Sequence, residues 1–335
     1  MSTKTAILLV NVGSPNSPQT KDVRRYLKQF LYNKRVIGVP KFPRWFLANY
    51  IIAPFRAPKS AKLYKQLWTA NGAPLVHYTQ LVNEKLQAEL EKKADVFVGM
   101  NYGKPFIRET LQIVRQVGYA KLIVLPMFPQ YASSSSGATI ETVMSLVKQW
   151  TVIPEIHIVN QFYNHPLFIK AFADRIKSSH PEDYEHIIFS YHGLPVSHLQ
   201  QTCAIPDYTE CNCEHTDSQN NNTCYRFACY QTTRLLANEL NLDKSTYSVG
   251  FQSRMSQGWI QPFTNKLLIA KARQGVKKIL AVSPSFVTDC LETTIEIGFE
   301  YRKLFQEYGG QKLDLVESLN DSPLWINALK NILMD

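Results

Sequence analysis

Apolar runs alternate with amphipathic stretches along most of this chain. The first run, "KTAILLVNVG" (residues 4–13), is nearly continuous in apolar residues and ends at a glycine, which is typical of a strand covered on both faces. Similar runs predict strands over 94–103, 119–130, 155–163, 185–193, 246–253 and 276–286. Helical spacing of apolar positions predicts helices over 21–33, 78–93, 139–150, 165–178, 224–240 and 290–309. This alternation indicates an α/β fold with largely parallel strands and helices on both faces.

The two halves of this pattern resemble each other. "LLVNVGSP" and "IIFSYHGLP" are both strands that run into Gly-x-Pro, and "IVLPMFPQ" and "LAVSPSF" are both strands that reach a proline and then a phenylalanine. We therefore predict two similar Rossmann-like domains, over 1–160 and 161–335, that face each other across a cleft. Ligands of such sheets bind beyond the carboxyl ends of the strands. The segments that follow Val12, Val124, Ser190 and Val282 are expected there.

Charge and hydropathy narrow the class of protein. The chain has 335 residues with 37 Lys plus Arg against 27 Asp plus Glu, a net charge of +10, which favours an anionic partner or simply gives a solvated basic surface. No nucleic-acid motif is present, so we expect no nucleic acid as partner, and the absence of a Gly-x-Gly-x-x-Gly loop or Walker loop disfavours nucleotide binding. No apolar run reaches the ~18 residues of a membrane span, and no signal-peptide pattern begins the chain. We expect a cytoplasmic protein.

One stretch combines positive charge with large apolar side chains. Residues 33–60, "NKRVIGVPKFPRWFLANYIIAPFRAPKS", interleave lysine and arginine with Trp45, Phe46, Tyr50, Ile51, Ile52 and Phe55. One interpretation is an exposed apolar lip with a cationic rim, suited to a peripheral contact with the inner face of the membrane or to an apolar anionic ligand. The other is an ordinary core helix held between prolines. Both remain open at this point.

A histidine and several carboxylates are the candidates for chemistry. His192 stands where a predicted buried strand ends, although an isolated histidine is also a common structural residue. Glu292 and Glu296 are four positions apart and share one helix face. Asp289 followed by Glu292 also fits a helix N-cap with a capping box, which is a purely structural explanation. One imidazole with these carboxylates can hold a divalent metal loosely and accept protons.

The cysteines are clustered. Five of the six fall within 27 positions, at Cys203, Cys211, Cys213, Cys224 and Cys229, and Cys290 stands apart. In a cytosolic chain such a cluster favours metal binding over disulfide formation.

Ten ordered motifs resemble those of the ferrochelatase family along nearly the whole chain. They are "LLVNVGSPNSP", "VRRYLKQFL", "RVIGVP", "LWTANGAPL", "MNYGKP", "VLPMFPQYASSSSGAT", "SYHGLP", "FQSRMSQGWIQP", "SPSFVTDCLETTIEI" and "GFEYRKLFQEYGG". Members of this family are lyases that insert ferrous iron into a porphyrin, and their fold is two Rossmann-like domains around a porphyrin-binding cleft. The resemblance implies insertion of Fe²⁺ into protoporphyrin IX to form protoheme, the last step of heme biosynthesis.

The resemblance also assigns roles to residues. His192 corresponds to the histidine that takes pyrrole protons or meets the metal, and Glu292 to the carboxylate that faces it across the macrocycle. Asp289 and Glu296 continue an acidic path. The positions that match porphyrin contacts of the family are Trp259, Phe128 and Phe286 on the macrocycle, and Val12 and Tyr102 around its rim.

Three positions depart from the family pattern. Asn101 stands where many relatives have arginine, which weakens the case for a propionate contact there. Val12 replaces the tyrosine of the branch that metallates coproporphyrin, which favours protoporphyrin IX as substrate. Cys290 replaces a histidine of animal-type sequences and leaves the acidic path without that imidazole.

The largest departure is an insertion that carries Cys203, Cys211, Cys213 and Cys224, while Cys229 matches a cysteine of cluster-free relatives. Four thiolates suit a [2Fe–2S] cluster or a structural zinc ion. Some bacterial ferrochelatases hold a [2Fe–2S] cluster in an internal insertion of this kind, so the resemblance favours the cluster. Ordinary reduced thiols are the remaining alternative.

Two competing functions remain. A chelatase of the same fold acting on coproporphyrin, or inserting cobalt or nickel, is the nearer one. A heme or porphyrin carrier without catalysis is the other, and the presence of both His192 and Glu292 argues against it.

Overall fold

The structure is a computed structural model that describes residues 2–199, 202–203, 210–214, 223–253 and 256–334. Its strands are β1 Ser2–Asn11, β2 Ala94–Met100, β3 Tyr119–Pro126, β4 Glu155–Ile158, β5 His186–His192, β6 Tyr247–Gln252, β7 Lys278–Val282 and β8 Lys312–Leu315. Its α-helices are α1 Thr20–Tyr32, α2 Lys41–Phe46, α3 Ala53–Leu67, α4 Pro74–Leu90, α5 Ile107–Val117, α6 Ala138–Val147, α7 Pro166–Lys177, α8 Val196–Leu199, α9 Tyr225–Glu239, α10 Thr264–Arg273, α11 Arg302–Glu307 and α12 Pro323–Met334. The wider π-helical winding occurs over Leu47–Ile52, Ser133–Gly137 and Leu291–Tyr301, and 3₁₀ turns over Pro181–Asp183 and Lys244–Thr246.

The strands of the described ranges form two four-stranded parallel sheets of the same order. The first runs β2-β1-β3-β4 and the second β6-β5-β7-β8. The central strands are apolar and fully covered, as strands between two helical layers must be. Ala6, Leu8 and Val10 of β1, for example, pack with Leu111 and Val114 of α5. The predicted α/β fold with two similar parallel-sheet halves is confirmed.

The strand order reverses at the same place in both sheets. In the first sheet β2 lies on one side of β1 and β3 on the other, so the chain crosses to the other side of β1 between β2 and β3. In the second sheet β5 has the same position between β6 and β7. In open parallel sheets this reversal opens a crevice at the carboxyl ends of the two central strands, where ligands bind. The residues after β1, β3, β5 and β7 therefore occupy the favoured edge of each sheet.

The chain separates into two compact units. Unit 1 comprises Met1–Phe128, Ala132–Gln161 and Leu329–Asp335, and unit 2 comprises Pro129–Tyr131 and Phe162–Ala328. Within the described residues, no helix combines the length and the apolarity needed to cross a bilayer.

Several elements were not predicted from the periodicity. β8 is a four-residue strand that alternates charged and apolar residues, so it leaves little signal. Helices α5, α10 and α12 were also missed, although Ile107, Leu111 and Val114 of α5 do recur with helical spacing and are buried. The helix predicted over 290–309 is continuous but changes from π-helical to α-helical winding at Arg302.

Candidate active site

His192 is the last residue of β5, and a tight backbone arrangement follows it. It lies opposite Gln252 of β6 in the parallel pairing. The N–H of Gly193 donates to the carbonyl of Gln252 at 2.8 Å. A Cβ on Gly193 would lie 2.6 Å from that carbonyl oxygen and 3.3 Å from Cε3 of Trp259. Glycine is therefore needed after the histidine, so that the neighbouring strand and the indole can approach the strand end.

The His192 imidazole is held in a defined orientation. Its Nδ1 lies 2.6 Å from the carbonyl oxygen of Gly193, and its own carbonyl accepts a hydrogen bond from Tyr225 Oη at 2.8 Å. Because a carbonyl can only accept, Nδ1 carries the hydrogen in this contact, and the neutral ring has its lone pair on Nε2. A half-buried ring with an available Nε2 can accept a proton or bind a metal.

A second histidine on the same strand has a different character. His186 begins β5, is buried, and its Nε2 lies 2.8 Å from Ser248 Oγ. Burial, with a smaller contribution from Lys271, lowers the pKa of His186 to about 4. His186 is thus neutral at physiological pH and serves the packing of the strand.

Two aromatic rings flank His192. The ring centroids of Trp259 and Phe286 lie 6.4 Å and 6.2 Å from that of the imidazole. Trp259 is fixed by backbone pairing with Pro195, and Ile260 N donates to Leu194 O at 2.9 Å. The structure thus brings together three of the predicted site residues, and the two half-buried rings can stack on a flat ligand beside the base.

The helix that carries Glu292 begins at Leu291 with Cys290 as its N-cap. The N–H of Cys290 donates to Thr293 Oγ1 at 3.0 Å, and the Cys290 side chain completes the reciprocal contact. The alternative in which Asp289 caps the helix and Glu292 closes the capping box is therefore wrong, because the helix begins one residue too late for it. Glu292 is left half-buried in the first turn, where negative charge is favourable. Burial and then the Glu292 carboxylate raise the pKa of the Cys290 thiol.

Asp289 is bound to the segment that follows β8. Asn320 Nδ2 donates to Asp289 Oδ2 at 2.8 Å, and Ser318 N donates to Oδ1 at 3.2 Å. The backbone N–H of Asp289 donates in turn to Asn320 Oδ1 at 2.9 Å. Both carboxylate oxygens are engaged, so Asp289 orders the turn before the helix.

Glu296 holds the residue that follows β6. Its carboxylate accepts hydrogen bonds from Ser253 N at 2.7 Å, from Tyr301 Oη at 2.8 Å and from Ser253 Oγ. Ser253 has a left-handed backbone with φ of +61°, which is unfavourable for a residue other than glycine. The paired contacts to Glu296 hold Ser253 in that conformation.

The predicted contacts of unit 1 lie after three adjacent strands. Val12 follows β1, Tyr102 follows β2 and Phe128 follows β3. Tyr102 N donates to Val12 O at 3.0 Å, and a Cβ on Gly13, whose φ is +95°, would overlap Tyr102 O at 1.7 Å. Only glycine fits this close approach. Tyr102 is buried, whereas Val12 and Phe128 are half-buried.

Asn101 lines a cavity of about 630 Å³ in unit 1. Its Nδ2 donates to Thr139 Oγ1 at 2.8 Å, so it is directed to α6. Positive charge at the cavity comes instead from Lys34, Arg44 and Arg108. Glu109 and Glu141 line the cavity as well, and Lys34 Nζ pairs with Glu141 Oε1 at 2.6 Å, so the cavity carries charge of both signs and no cation at position 101.

The segment from residue 39 to residue 55 has its large apolar side chains on the surface. Phe42 is 74% exposed and Phe55 79%. The other exposed members are Val39, Trp45, Phe46, Tyr50 and Ile51. The buried positions of the same stretch are alanines such as Ala48 and Ala53. The core-helix interpretation is wrong, and we call these seven exposed side chains the apolar lip.

Four cysteines of the insertion lie close to one another. Cys203 Sγ and Cys211 Sγ are 3.8 Å apart, and Arg226 Nη1 donates to Cys213 Sγ at 2.9 Å. Burial raises the pKa of Cys213 to about 12, with Arg226 acting in the opposite direction and the thiols of Cys211 and Cys224 adding to the increase. Cys224 caps α9. Across the described part of the chain, no group of three or more His, Cys, Asp or Glu side chains is arranged to hold a metal ion.

The insertion itself is only partly covered by the structure. Residues 204–209 and 215–222 lie outside the described residues. Glu210 to Glu214 contain no helix or strand, so Cys211 and Cys213 stand in an irregular segment, as predicted. Cys229 and Cys290 are buried, and burial raises the pKa of both thiols well above the ordinary value.

Sequence reasoning missed two polar residues next to His192. Gln252 is completely buried at the end of β6, and Tyr225 donates to the His192 carbonyl from the first turn of α9. The only available signal for Gln252 was an amide at the end of an otherwise apolar strand. Tyr225 offered none.

Comparison with known proteins extends over almost the whole chain. The ferrochelatase family model matches residues 4–335. A ferrochelatase of Coxiella burnetii (strain Dugway 5J108-111) is 39% identical over 330 residues, which cover 97% of this chain and 92% of that protein. A ferrochelatase of Legionella pneumophila subsp. pneumophila (strain Philadelphia 1) is 39% identical over 336 residues, with 97% of each chain covered.

Solved structures with the same fold are chelatase-like. The sirohydrochlorin chelatase SirB of Bacillus subtilis subspecies spizizenii, solved with cobalt, has a TM-score of 0.54 at 14% identity over 98% of this chain and 94% of its own. A multi-domain protein of Deinococcus radiodurans described as similar to chelatases has a TM-score of 0.52 at 12% identity, over 99% of this chain and 55% of its own. At these identities the likeness shows the fold alone. The family match and the two relatives, taken with this fold, show that the chain belongs to the ferrochelatase family of metal-chelating lyases.

Proposed function

We propose that this chain inserts ferrous iron into protoporphyrin IX to form protoheme and that the reaction takes place at the end of β5. The observation that carries the proposal is His192 itself. Its Nδ1 is bound to a carbonyl, no hydrogen bond among the described residues engages its Nε2, and Trp259 and Phe286 lie beside the ring. A flat macrocycle that stacks on these rings would present its pyrrole nitrogens to a fixed base.

The reaction requires proton acceptors and no redox chemistry. Two pyrrole N–H bonds break, two protons leave, and the four nitrogens bind Fe²⁺, so charge balances without an oxidant. In the proposed mechanism His192 accepts a pyrrole proton at Nε2 and so acts as a positioned general base. The Gly193 carbonyl then keeps its hydrogen bond to Nδ1 and stabilises the imidazolium that forms.

Glu292 is the proposed entry ligand for Fe²⁺. A carboxylate is a hard donor that binds Fe²⁺ less tightly than a set of thiolates or imidazoles would, and so can pass it on. Glu292 is half-buried, and its carboxylate contacts the Cys290 thiol. Among the described residues it is not held by several donors, as the carboxylates of Asp289 and Glu296 are. Asp289 and Glu296 support the site by ordering its two flanking segments.

The porphyrin contacts of unit 1 are proposed from the family motif. Val12, Tyr102 and Phe128 match positions that contact the macrocycle in relatives. Val12 presents a small apolar side chain where coproporphyrin-metallating relatives have a tyrosine, and this supports protoporphyrin IX as the substrate.

A [2Fe–2S] cluster on Cys203, Cys211, Cys213 and Cys224 is also proposed. The donor type and one sulfur pair support it, because thiolates that share a tetrahedral metal are roughly 3.8 Å apart, and Cys203 Sγ and Cys211 Sγ lie 3.8 Å from each other. Among the described residues the four thiols are not themselves arranged as a metal site. Arg226 provides a buried positive charge beside Cys213. When bound, such a cluster would order the insertion through its ligation energy. Zinc on the same four thiolates is the alternative.

The apolar lip is proposed as a contact with an anionic membrane surface. Residues 23–83 contain 11 Lys and Arg and neither Asp nor Glu, which leaves 26 basic against 27 acidic residues for the rest of the chain. The net positive charge of the protein thus falls within the stretch of sequence that contains the exposed aromatic side chains, with Lys34 and Arg35 of that stretch paired to Glu141. Apolar burial combined with attraction to anionic lipids is the usual basis of peripheral binding.

Substitution of His192 tests the assignment of the site. His192→Ala should lower kcat for Fe²⁺ insertion by at least about 100-fold, the usual contribution of a positioned base. His180→Ala, at an exposed surface histidine, is the matched control and should keep wild-type turnover. A folded His192→Ala protein with substantial turnover would remove His192 from the mechanism.

A further inference from the structure

The buried amide of Gln252 joins the strand that carries His192 to the helix that carries Glu292. Its side chain is completely buried, and it stands opposite His192 in the pairing of β5 with β6. Its Nε2 donates to the backbone carbonyl of Glu292 at 2.7 Å and lies 3.4 Å from Glu296 Oε2. The side chain therefore reaches both acidic positions of the helix.

The amide oxygen of Gln252 is bound to β5 and to the residue that follows β7. Gln252 Oε1 accepts from Ser190 Oγ at 2.7 Å and from Ser283 Oγ at 3.3 Å. An amide has two N–H groups and two lone pairs, and each has a partner within reach here, although the single hydrogen of Ser283 Oγ is shared with the Ser190 carbonyl, which lies 3.1 Å away. The backbone carbonyl of Gln252 additionally accepts the Gly193 N–H at 2.8 Å. Gln252 thus contacts β5 on both sides of His192.

Stability alone would not favour this buried polar cluster over an apolar cluster of the same shape. Replacing a hydrogen-bonded buried pair by apolar groups of the same shape can be nearly neutral, whereas a buried amide that loses its partners is costly. What an apolar side chain cannot do is set the distance between a strand and a helix by directed bonds at both ends.

We propose that Gln252 is a positioning residue that fixes His192 relative to Glu292 during metal insertion, an inference that rests on the function proposed for those two residues. It touches neither porphyrin nor iron and acts through the residues that do. Misplacement of catalytic groups by about 1 Å can cost on the order of 100-fold in rate. Substrate binding by Trp259 and Phe286 does not depend on the amide.

The experiment replaces the amide by a side chain of similar length. Gln252→Met should lower kcat by about 10- to 100-fold, with the KM for protoporphyrin within about two-fold of wild type, because the reacting groups are displaced while Trp259 and Phe286 are kept. Its melting temperature should also fall, because Ser190 Oγ and the Glu292 carbonyl lose a partner. Gln87→Met is the matched control: this amide also joins a helix to a strand, through Glu91 O, Ala94 O and Val96 N, but in unit 1. The control should lose melting temperature and keep kcat. Ser283→Ala removes one donor to Oε1 and the donor to the Ser190 carbonyl. It should lower kcat several-fold, again at constant KM, and covers the case in which Gln252→Met does not fold.

His192→Ala and Glu292→Gln are measured in parallel. If these two variants are inactive and Gln252→Met keeps wild-type kcat per folded molecule, the positioning role is wrong and the proposed function stands. Where Gln252→Met does not fold, wild-type kcat in Ser283→Ala leads to the same conclusion. A rise in KM with unchanged kcat also overturns it, because the amide would then serve binding. If His192→Ala and Glu292→Gln themselves keep wild-type turnover, the proposed function fails.

Discussion

The chemistry proposed for His192 depends on which of its ring nitrogens carries the hydrogen. The Gly193 carbonyl fixes that hydrogen on Nδ1, and Tyr225 Oη donates to the preceding carbonyl, that of His192 itself. Neither partner is an acid or a base at neutral pH, so the ring is oriented without a charged neighbour competing for its proton. This suits a base that must take protons and release them in every cycle.

The two glutamates of the helix should respond differently to loss of charge. Glu292→Gln is expected to lower kcat by at least about 100-fold, because an amide neither accepts protons nor binds Fe²⁺ well. Glu296→Gln should have a smaller effect on kcat but should destabilise the fold by about 1–3 kcal/mol, since an N–H₂ group would face the Ser253 and Tyr301 donors. Steady-state kinetics and thermal unfolding of both variants provide the comparison. Glu292→Gln with wild-type activity per folded molecule would leave the residue only a structural role.

Val12 bears on the choice of porphyrin. We expect kcat/KM with Fe²⁺ to be higher for protoporphyrin IX than for coproporphyrin III, because valine leaves room where a tyrosine would stand. The two porphyrins are compared under the same anaerobic conditions. A clear preference for coproporphyrin III would move the chain to the other branch of the family.

Prediction from sequence succeeded at residues whose signal is local. His192 could be placed because it ends an apolar strand, and Gly193 because it follows directly. Gln252 could not be identified, because its partners Ser190 and Glu292 are 62 and 40 positions away and only folding brings them together. The N-cap at Cys290 was missed because Asp289 is the better capping residue by preference but is bound to Asn320 instead.

At the scale of elements, the proposed metal centre in the segment that carries the four cysteines allows the clearest test. Each of Cys203→Ser, Cys211→Ser, Cys213→Ser and Cys224→Ser should lose the visible colour and the bound iron. The protein purified without air should contain about two irons and two acid-labile sulfides per chain, the composition of a [2Fe–2S] centre. Absorption spectra together with iron and sulfide analysis measure this.

Cys229→Ser and Cys290→Ser are the matched controls and should keep the cluster. Both residues are buried, Cys229 within α9 and Cys290 at a helix N-cap. Tightly bound zinc without sulfide would favour the zinc alternative. Colourless, metal-free and fully active protein would contradict both.

Prediction of elements failed where a segment is short or its winding unusual. β8 has four residues, too few for a period-two pattern to be recognised. The sequence pattern did not predict the change from π-helical to α-helical winding at Arg302. Apolar residues three or four positions apart are compatible with both kinds of helix. The longer elements follow their hydrophobic pattern because each buries one face against a sheet.

At the scale of the whole molecule, charge is distributed unevenly enough to direct binding to a surface. The protein should bind vesicles that contain anionic lipid more tightly than neutral vesicles, and added salt should weaken the binding. Phe42→Ser/Phe55→Ser should reduce the binding by about 10-fold or more, since two exposed aromatic side chains are lost. Vesicle co-sedimentation measures both effects.

Val152→Ser/Ile153→Ser provides the control. These side chains are 57% and 54% exposed but lie outside the apolar lip. Their replacement should leave vesicle binding unchanged. Equal binding by wild type and the Phe42/Phe55 variant would show that the lip does not contact lipid.

Multiple turnover by the full chain is the most direct test of the central claim. Purified protein is mixed without air with an excess of Fe²⁺ and protoporphyrin IX, and protoheme is followed by its absorption. We expect protoheme to accumulate steadily to many equivalents per chain. Product or bound ligand that stops at one equivalent would instead identify a tetrapyrrole carrier, and it would contradict the assignment of His192 and Glu292 to a catalytic cycle.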